Sequence, residues 1–377
     1  MNLRRTRAVA RKEFLHILRD PRSLIMALAL PLLMILLFGY ALTLDVDRIP
    51  TLVYDMDGSP KSRELAARFD GSRYFQVLGT VDSYAAVERQ IDRDAVTLCI
   101  VIPADYAREL DAGRAPGVQL ILDGSDSNTA SIALGYARSI LQSAGQAIRA
   151  EALDRRAGSR QDPPLSGRLR VWYNSDLESK NYIVPGLIAL ILMIIGALLT
   201  SLTLAREWEM GTMEQLLSTP LRPAELALGK MSAYFALGIT DMALTIVIGV
   251  AVFGVPMRGS YLFLAATGGL FLIGALLWGI LLSALSRSQM MAYQMAMLTS
   301  FLPAFLLSGF VFAIENMPLP VRVVTYWFPT RYFITILKGI FLRGVGMEIL
   351  WAEVLLLGAY AALVFWVTTK KMSRRVA

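Results

Sequence analysis

The sequence predicts a polytopic α-helical membrane protein. It has six transmembrane helices, an N-terminal amphipathic interface helix, re-entrant outer helices between spans five and six, and an inserted extracytoplasmic α/β domain. Three observations predict it. Of 377 residues, 55% are hydrophobic and 18% charged, against about 45–50% and about 25% in a soluble chain. The apolar residues gather in runs of about 20, the length that crosses a bilayer core. Residues 45–180 break that pattern, alternating short apolar strands with amphipathic segments as a compact α/β domain does.

Charge and rare residues narrow the function classes. The net charge of +7 concentrates near membrane ends, which suits anionic lipid head groups and orientation better than nucleic acid. One cysteine and one histidine exclude an intrachain disulfide framework and metal sites built on histidine pairs. Cys99 falls in the strand-like run 96–102 and reads as a small buried hydrophobe.

Residues 1–21 carry Arg4, Arg5, Arg7, Arg11, Lys12 and Arg19, and place Leu3, Ala10, Phe14 and Ile17 on one helical face. A basic amphipathic helix of this kind lies in the membrane interface. Asp20-Pro21 ends it, and His16 reads as a surface histidine without chemistry. Residues 22–44 form the first span, with an uncharged run from 24 to 44. That run is too long for the core of a cleavable signal peptide, and Pro31 is a candidate kink.

Strands are expected at 49–54, 74–78, 96–102 and 118–122. Helices are expected at 59–69, 83–91, 104–111 and 127–156. The first of these helices is capped by Ser59 with Pro60 behind it. Residues 158–167, with Pro163-Pro164, read as a loop leading back to the membrane. Spans two to six are expected at 182–205, 231–253, 261–285, 291–314 and 350–369, within residues 181–377. The stretch 315–348 is aromatic and broken by Pro318, Pro320 and Pro329. It reads as one or two short helices dipping into the outer leaflet.

The short loops orient the chain. Those on one side carry fifteen Lys and Arg residues, those on the other five. The positive-inside rule then puts both termini and residues 206–220 in the cytoplasm, and the α/β domain outside.

No G-x-x-x-x-G-K-[ST] phosphate loop is present: the sole Gly-Lys pair, Gly229-Lys230, is followed by Met231. No nucleophile motif and no metal cluster appear, so a membrane enzyme is disfavoured. Residues 206–220 are polar and acid-rich, and Pro220 and Pro223 close them off. Glu207, Glu209 and Glu214 offer charges to a partner's basic groove. Trp208, Met213, Leu216 and Leu217 offer apolar anchors.

This stretch, Arg206-Glu207-x-Glu209-x-Gly211-Thr212-Met213-Glu214-x-Leu216-Leu217-x-Thr219-Pro220, resembles the coupling helix of ABC-2 type permeases, the membrane subunits of ATP-binding-cassette exporters. Arg11-Lys12-Glu13-Phe14 followed by Arg19-Asp20-Pro21-Arg22 resembles the interface helix of that family. Leu307-Ser308-Gly309-Phe310-Val311-Phe312, Asn316-Met317-Pro318 and Phe328-Pro329-Thr330-Arg331-Tyr332 resemble its fifth-span end and re-entrant helices. Ala313 departs from a usual proline. The resemblance covers essentially the whole chain, and the large domain after span one marks the multidrug-type subgroup.

The resemblance implies a bacterial inner-membrane permease that pairs with a second permease, identical or paralogous, and docks separate ABC ATPase subunits. Those subunits hold ATP and Mg; no cofactor is expected in this chain. Membrane lipid is a further partner, and a periplasmic adaptor is a candidate one. The coupling set is Glu207, Trp208, Glu209, Gly211, Thr212, Glu214, Leu217 and Pro220, with the interface-helix residues Arg11, Lys12, Glu13, Phe14, Arg19, Asp20 and Pro21.

Inside the membrane, Tyr234, Gly238, Asp241, Thr245 and Gly249 share one face of span three. Asp241, with Tyr234 and Thr245, is a pathway candidate. The competing reading is a hydrogen bond that locks helices together. Gly268, Ala275, Gly279 and Ser283 form a small-residue stripe suited to close helix packing. The function expected is ATP-driven efflux of a drug-like or lipophilic substrate. The alternative is a regulatory or structural subunit that docks an ATPase without forming an export pathway.

Overall fold

The computed structural model describes residues 2–41, 47–157, 172–174 and 178–376. The chain divides into two compact units: Met1–Thr43 with Val171–Ala377, and Leu44–Arg170. The first unit begins with α1 (Leu3–Arg19) and α2 (Pro21–Ala41).

The second unit is built from β1 (Ile49–Asp55), α3 (Pro60–Asp70), β2 (Phe75–Thr80), α4 (Tyr84–Asp92), β3 (Leu98–Ile102), α5 (Tyr106–Asp111), β4 (Gln119–Leu122) and α6 (Ser127–Ala157). Order and type of these eight elements match the sequence expectation; the expected loop at 158–167 lies outside the described residues. Ser59 caps α3 by accepting from the Ser62 N–H, with Pro60 at the first position. The strands run β2-β1-β3-β4. β1 is parallel to β2 and β3, and β3 is antiparallel to β4. Alternation along β3 sorts its side chains. Leu98, Ile100 and Ile102 pack with Leu65, Phe69 and Ala137 on one face. Cys99 and Val101 pack with Val87 and Val96 on the other. Cys99 is fully buried, and burial pushes its thiol up to about 11.

The first unit resumes with α7 (Lys180–Glu209), α8 (Met213–Leu217), α9 (Pro223–Ala251), α10 (Tyr261–Leu285) and α11 (Gln289–Ala296). A π-helical turn, Met297–Phe301, joins α11 to α12 (Leu302–Leu306). After a 3₁₀ turn at Ile314–Asn316 come α13 (Leu319–Thr325), α14 (Pro329–Lys338) with a π-helical extension Gly339–Arg343, and α15 (Met347–Val376).

Among the described residues, four helices are long and apolar enough to cross a membrane: Lys180–Glu209, Pro223–Ala251, Tyr261–Leu285 and Met347–Ser373. A shorter apolar helix covers Ala27–Ala41. The segment expected as an unbroken fifth span differs. Its helical run stops at Leu306 and contains the wide turn just before Pro303, whose ring excludes a normal helical hydrogen bond. Gly309 then turns the chain with φ +81. Tyr182 Oη donates back to the Gly309 carbonyl at 2.8 Å.

The core of this unit is α7, buried along almost its whole apolar length. The small-residue stripe of α10 is what lets it approach. A methyl on Gly279 would fall 2.1 Å from Thr200 Oγ1 and 2.3 Å from the Ala197 carbonyl. Thr200 Oγ1 lies 2.9 Å from the Leu276 carbonyl, and Ser283 Oγ accepts from the Leu204 and Ala205 N–H groups at 2.9 Å.

Candidate functional site

One end of the first unit gathers the charged residues that sequence reading singles out, and it does so through α1. Asn2 Oδ1 caps this helix by accepting from the Arg4 N–H at 3.0 Å. α1 packs along the first half of α9. Close approach depends on Gly229, where an added Cβ would meet Val9 at 2.6 Å. Val9 and Glu13 are the buried positions of α1, whereas Leu3 and Phe14 of the expected apolar face are exposed. The helix thus docks through Val9 and Glu13, while Leu3 and Phe14 stay exposed and Ala10 and Ile17 are half-buried.

Glu13, Glu207 and Lys230 meet in a buried ion cluster. Lys230 Nζ donates to Glu13 Oε1 and Glu207 Oε1, both at 2.8 Å, and Lys12 Nζ donates to Glu207 Oε1 at 2.9 Å. Glu13 is 4% exposed, Glu207 7% and Lys230 1%. The cluster ties α1, α7 and α9 together. Charges so deeply buried persist only with partners in good geometry. Burial alone would lower the Lys12 ammonium; the Glu207 and Glu13 carboxylates outweigh it and hold the group above the ordinary lysine value.

Further contacts close the same end. Arg206 Nη1 meets His16 Nε2 at 3.0 Å. Arginine has no acceptor, so it donates and the histidine accepts. Asn2 N donates to Glu225 Oε1 at 2.6 Å, and Arg5 Nη1 donates to the Pro220 carbonyl. Glu209 accepts from the Gln289 N–H at 2.8 Å. His16, expected to be inert, therefore joins α1 to α7.

Several expected roles are corrected by this geometry. Glu207, expected to offer its charge to a partner, is turned inward and neutralised by two lysines. Trp208 and Leu216 pack against the internal cluster formed by Val9, Leu204, Met213 and Leu226, and Arg287 lies 5.8 Å from the Trp208 ring centroid. They are internal anchors. Residues 206–220 are also not one short helix. Arg206–Glu209 is the end of α7, residues 210–212 are a turn, and α8 has five residues. The break is set by Gly211, whose φ of +69 suits glycine.

What remains outward is Glu209, Gly211, Glu214 and Pro220, with Met210 68% exposed. Thr212 is half-buried, its hydroxyl 3.4 Å from the Glu207 carbonyl. Leu217 ends α8, and its side chain lies outside the described residues. On α1, Arg11, Phe14 and Arg19 are exposed, Asp20 caps the C-terminus, and Pro21 opens α2.

Sequence reading gives Lys230 no place in the site, meeting it only in the rejected phosphate-loop pattern and among the inside cations. Its signal is there: it sits among Leu226, Ala227, Met231 and Ala233 rather than on a polar face.

The membrane-interior set separates. Tyr234 and Leu237 line a cavity of about 530 Å³ together with Glu13, Arg206, Glu207 and Lys230. Thr245 bonds its own helix, at 2.9 Å from the Asp241 carbonyl. Asp241 is 1% exposed, and neither of its carboxyl oxygens has a hydrogen-bond partner among the described residues. The helix-locking bond is therefore absent among the described residues, as is any cluster of metal-ligating side chains.

The comparisons with known proteins agree along the chain. Residues 21–370 match the family described as ABC-2 family transporter protein. The chain is 37% identical over 377 residues to the probable multidrug ABC transporter permease YbhS of Escherichia coli K12, covering 100% of this chain and 98% of that protein. It is 33% identical over 344 residues to the probable multidrug ABC transporter permease YbhR of the same organism, covering 90% of each. It is 27% identical over 331 residues to the inner membrane transport permease YhhJ, also of Escherichia coli K12, covering 87% and 86%. A match of this extent, over a helical unit with four helices long enough to cross a membrane, means that the chain belongs to the ABC-2 family of transporter proteins.

Proposed function

We propose that this chain is the permease subunit of an ABC-2 type exporter in a bacterial inner membrane. It couples ATP hydrolysis by separate ATPase subunits to efflux of a drug-like or lipophilic substrate. It crosses the membrane six times with both termini in the cytoplasm, α2 being the first span and the α11–α12 segment the fifth. Residues 315–348 re-enter from the outer side. Residues 45–180 form the periplasmic domain, and a second permease, identical or paralogous, completes the pathway. The relatives named as multidrug permeases support the substrate class.

The single observation that carries the coupling reading is the division of labour at residues 206–220. The outward set of Glu209, Gly211, Glu214 and Pro220 is the face offered to the ATPase. The inward cluster of Glu13, Glu207 and Lys230 fastens that face to α1 and α9. A pull on the turn is passed to three helices at once. Such a chain needs two arrangements whose balance ATP shifts. The test is Glu209→Lys with Glu214→Lys in the co-expressed complex. ATPase co-purification and transport should both be lost while the permease still inserts. Unchanged co-purification overturns the docking face, and unchanged ATPase docking with no transport of any substrate favours a regulatory subunit.

A further inference from the structure

We propose that the cavity beside the ion cluster is an access vestibule for lipophilic organic cations, and that Asp241, protonated while the site is empty, supplies their counter-charge. Asp241 does not itself line the cavity, whose lining on α9 ends at Leu237. The cavity has a charged rim, where Glu13 and Glu207 are paired with Lys12 and Lys230 beside Arg206, and an apolar throat, with Leu24, Leu199 and Leu237. That combination matches a molecule with a charged head and an apolar body. Leu237 is four residues before Asp241 on α9, so the two share one face a single helical turn apart, about 5–6 Å. The throat therefore ends one turn below a carboxyl that nothing among the described residues partners.

Among the described residues, no cation pairs with Asp241. α9 packs against α1, α2, α7, α10 and α15. Between Tyr182 and Arg206, α7 carries no ionisable side chain, and α10 carries only Tyr261. From residue 24 onward α2 has only Tyr40, and before Lys370 α15 has Glu348, Glu353 and Tyr360. The acids and bases of α1 and Asp20 stand at the rim end, with Glu225, Lys230 and Tyr234 of α9 itself. None of these groups bonds the Asp241 carboxyl. An isolated buried carboxylate costs far more than one neutralised by a proton or a cation, and the proposed site exchanges one for the other.

The exchange is balanced. A lipophilic cation reaches the carboxyl past Leu237, the acid proton leaves to water in the cavity, and a neutral ion pair replaces a neutral acid. One positive charge enters the site and one leaves it. A neutral or anionic molecule gains nothing from this step, which makes the site selective by charge.

This proposal rests on the exporter reading, and its test needs neither ATP nor transport. The full chain in lipid nanodiscs is treated with dicyclohexylcarbodiimide, which modifies protonated carboxyls in apolar surroundings, and adducts are mapped by mass spectrometry. Binding of radiolabelled tetraphenylphosphonium is measured in parallel. An adduct at Asp241 is expected, suppressed by excess tetraphenylphosphonium. Asp241→Asn should weaken tetraphenylphosphonium binding at least tenfold, and Leu237→Trp, which fills the throat, should do the same. No adduct at Asp241, or equal binding by the wild type and both variants, overturns the proposal. Should Asp241→Asn fail to fold, labelling and its suppression in the wild type decide alone. A chain that exports another substrate but neither labels nor binds overturns the cation site only. One that labels and binds as expected but exports nothing supports the site and overturns the exporter reading.

Discussion

At the scale of single residues, Lys230 is the group on which the charged end depends. Its ammonium is shared by two carboxylates that are themselves nearly inaccessible. Lys230→Met would leave Glu13 and Glu207 side by side with only Lys12 for compensation. Removing one partner of a buried pair costs about 3–5 kcal/mol. The thermal midpoint of the purified protein in lipid should fall steeply, and adding Glu13→Gln and Glu207→Gln to the same variant should restore most of it. A midpoint unmoved by Lys230→Met would mean the cluster holds nothing together. The sole cysteine offers a second residue-scale check. With its thiol buried in the sheet and pushed up to about 11, Cys99 has almost no thiolate at pH 8. A maleimide should leave the native protein unlabelled and label it fully after denaturation; rapid native labelling would place Cys99 elsewhere.

At the scale of elements, periodicity made much of the fold legible. The side chains of β3 sort alternately into two buried clusters, and the caps and prolines that bound the helices act locally. The stripe Gly268, Ala275, Gly279 and Ser283 was legible for the same reason, since its spacing is a property of one helix. Gly279→Leu should therefore prevent α7 and α10 from closing, seen as loss of monodisperse protein on size exclusion. Leu298→Ala, at an exposed position of the wide turn, serves as the control and should leave the monodisperse peak intact. Equal behaviour of the two variants would remove the close-packing argument. The ion cluster was not legible. Its members lie at positions 13, 207 and 230, and only the docking of α1 on α9 brings them together. For the same reason the sequence assigned Glu207 to the surface: Arg206 and Glu209 nearby are exposed, and one step around a helix changes the facing. On α1, Leu3 and Phe14 of the face expected to lie in the membrane interface stay uncovered by the described residues.

At the scale of the whole molecule, the proposed topology makes a prediction that contact geometry cannot supply. If the positive-inside count governs, residues 206–220 and the α/β domain lie on opposite sides of the membrane. Both carry exposed positions suited to a reporter. Gln215 is exposed on α8, and Gly113 is an exposed turn glycine with φ +72 in the second unit. Because Cys99 is the only cysteine, Cys99→Ser gives a background without thiols. A cysteine placed at Ala112, beside that turn, should react with a membrane-impermeant maleimide added to spheroplasts. One placed at Gln215 should react only after the membrane is opened. The pairing of the two positions matters more than either alone. Labelling of both from outside would mean an odd number of crossings is missing between them, and the α7 span would have to be reassigned. Reversed labelling would keep the span but invert the protein, placing the ion cluster and its exposed turn away from ATP. The expected pattern alone is compatible with an external ATPase gripping residues 206–220 while the α/β domain faces the other compartment.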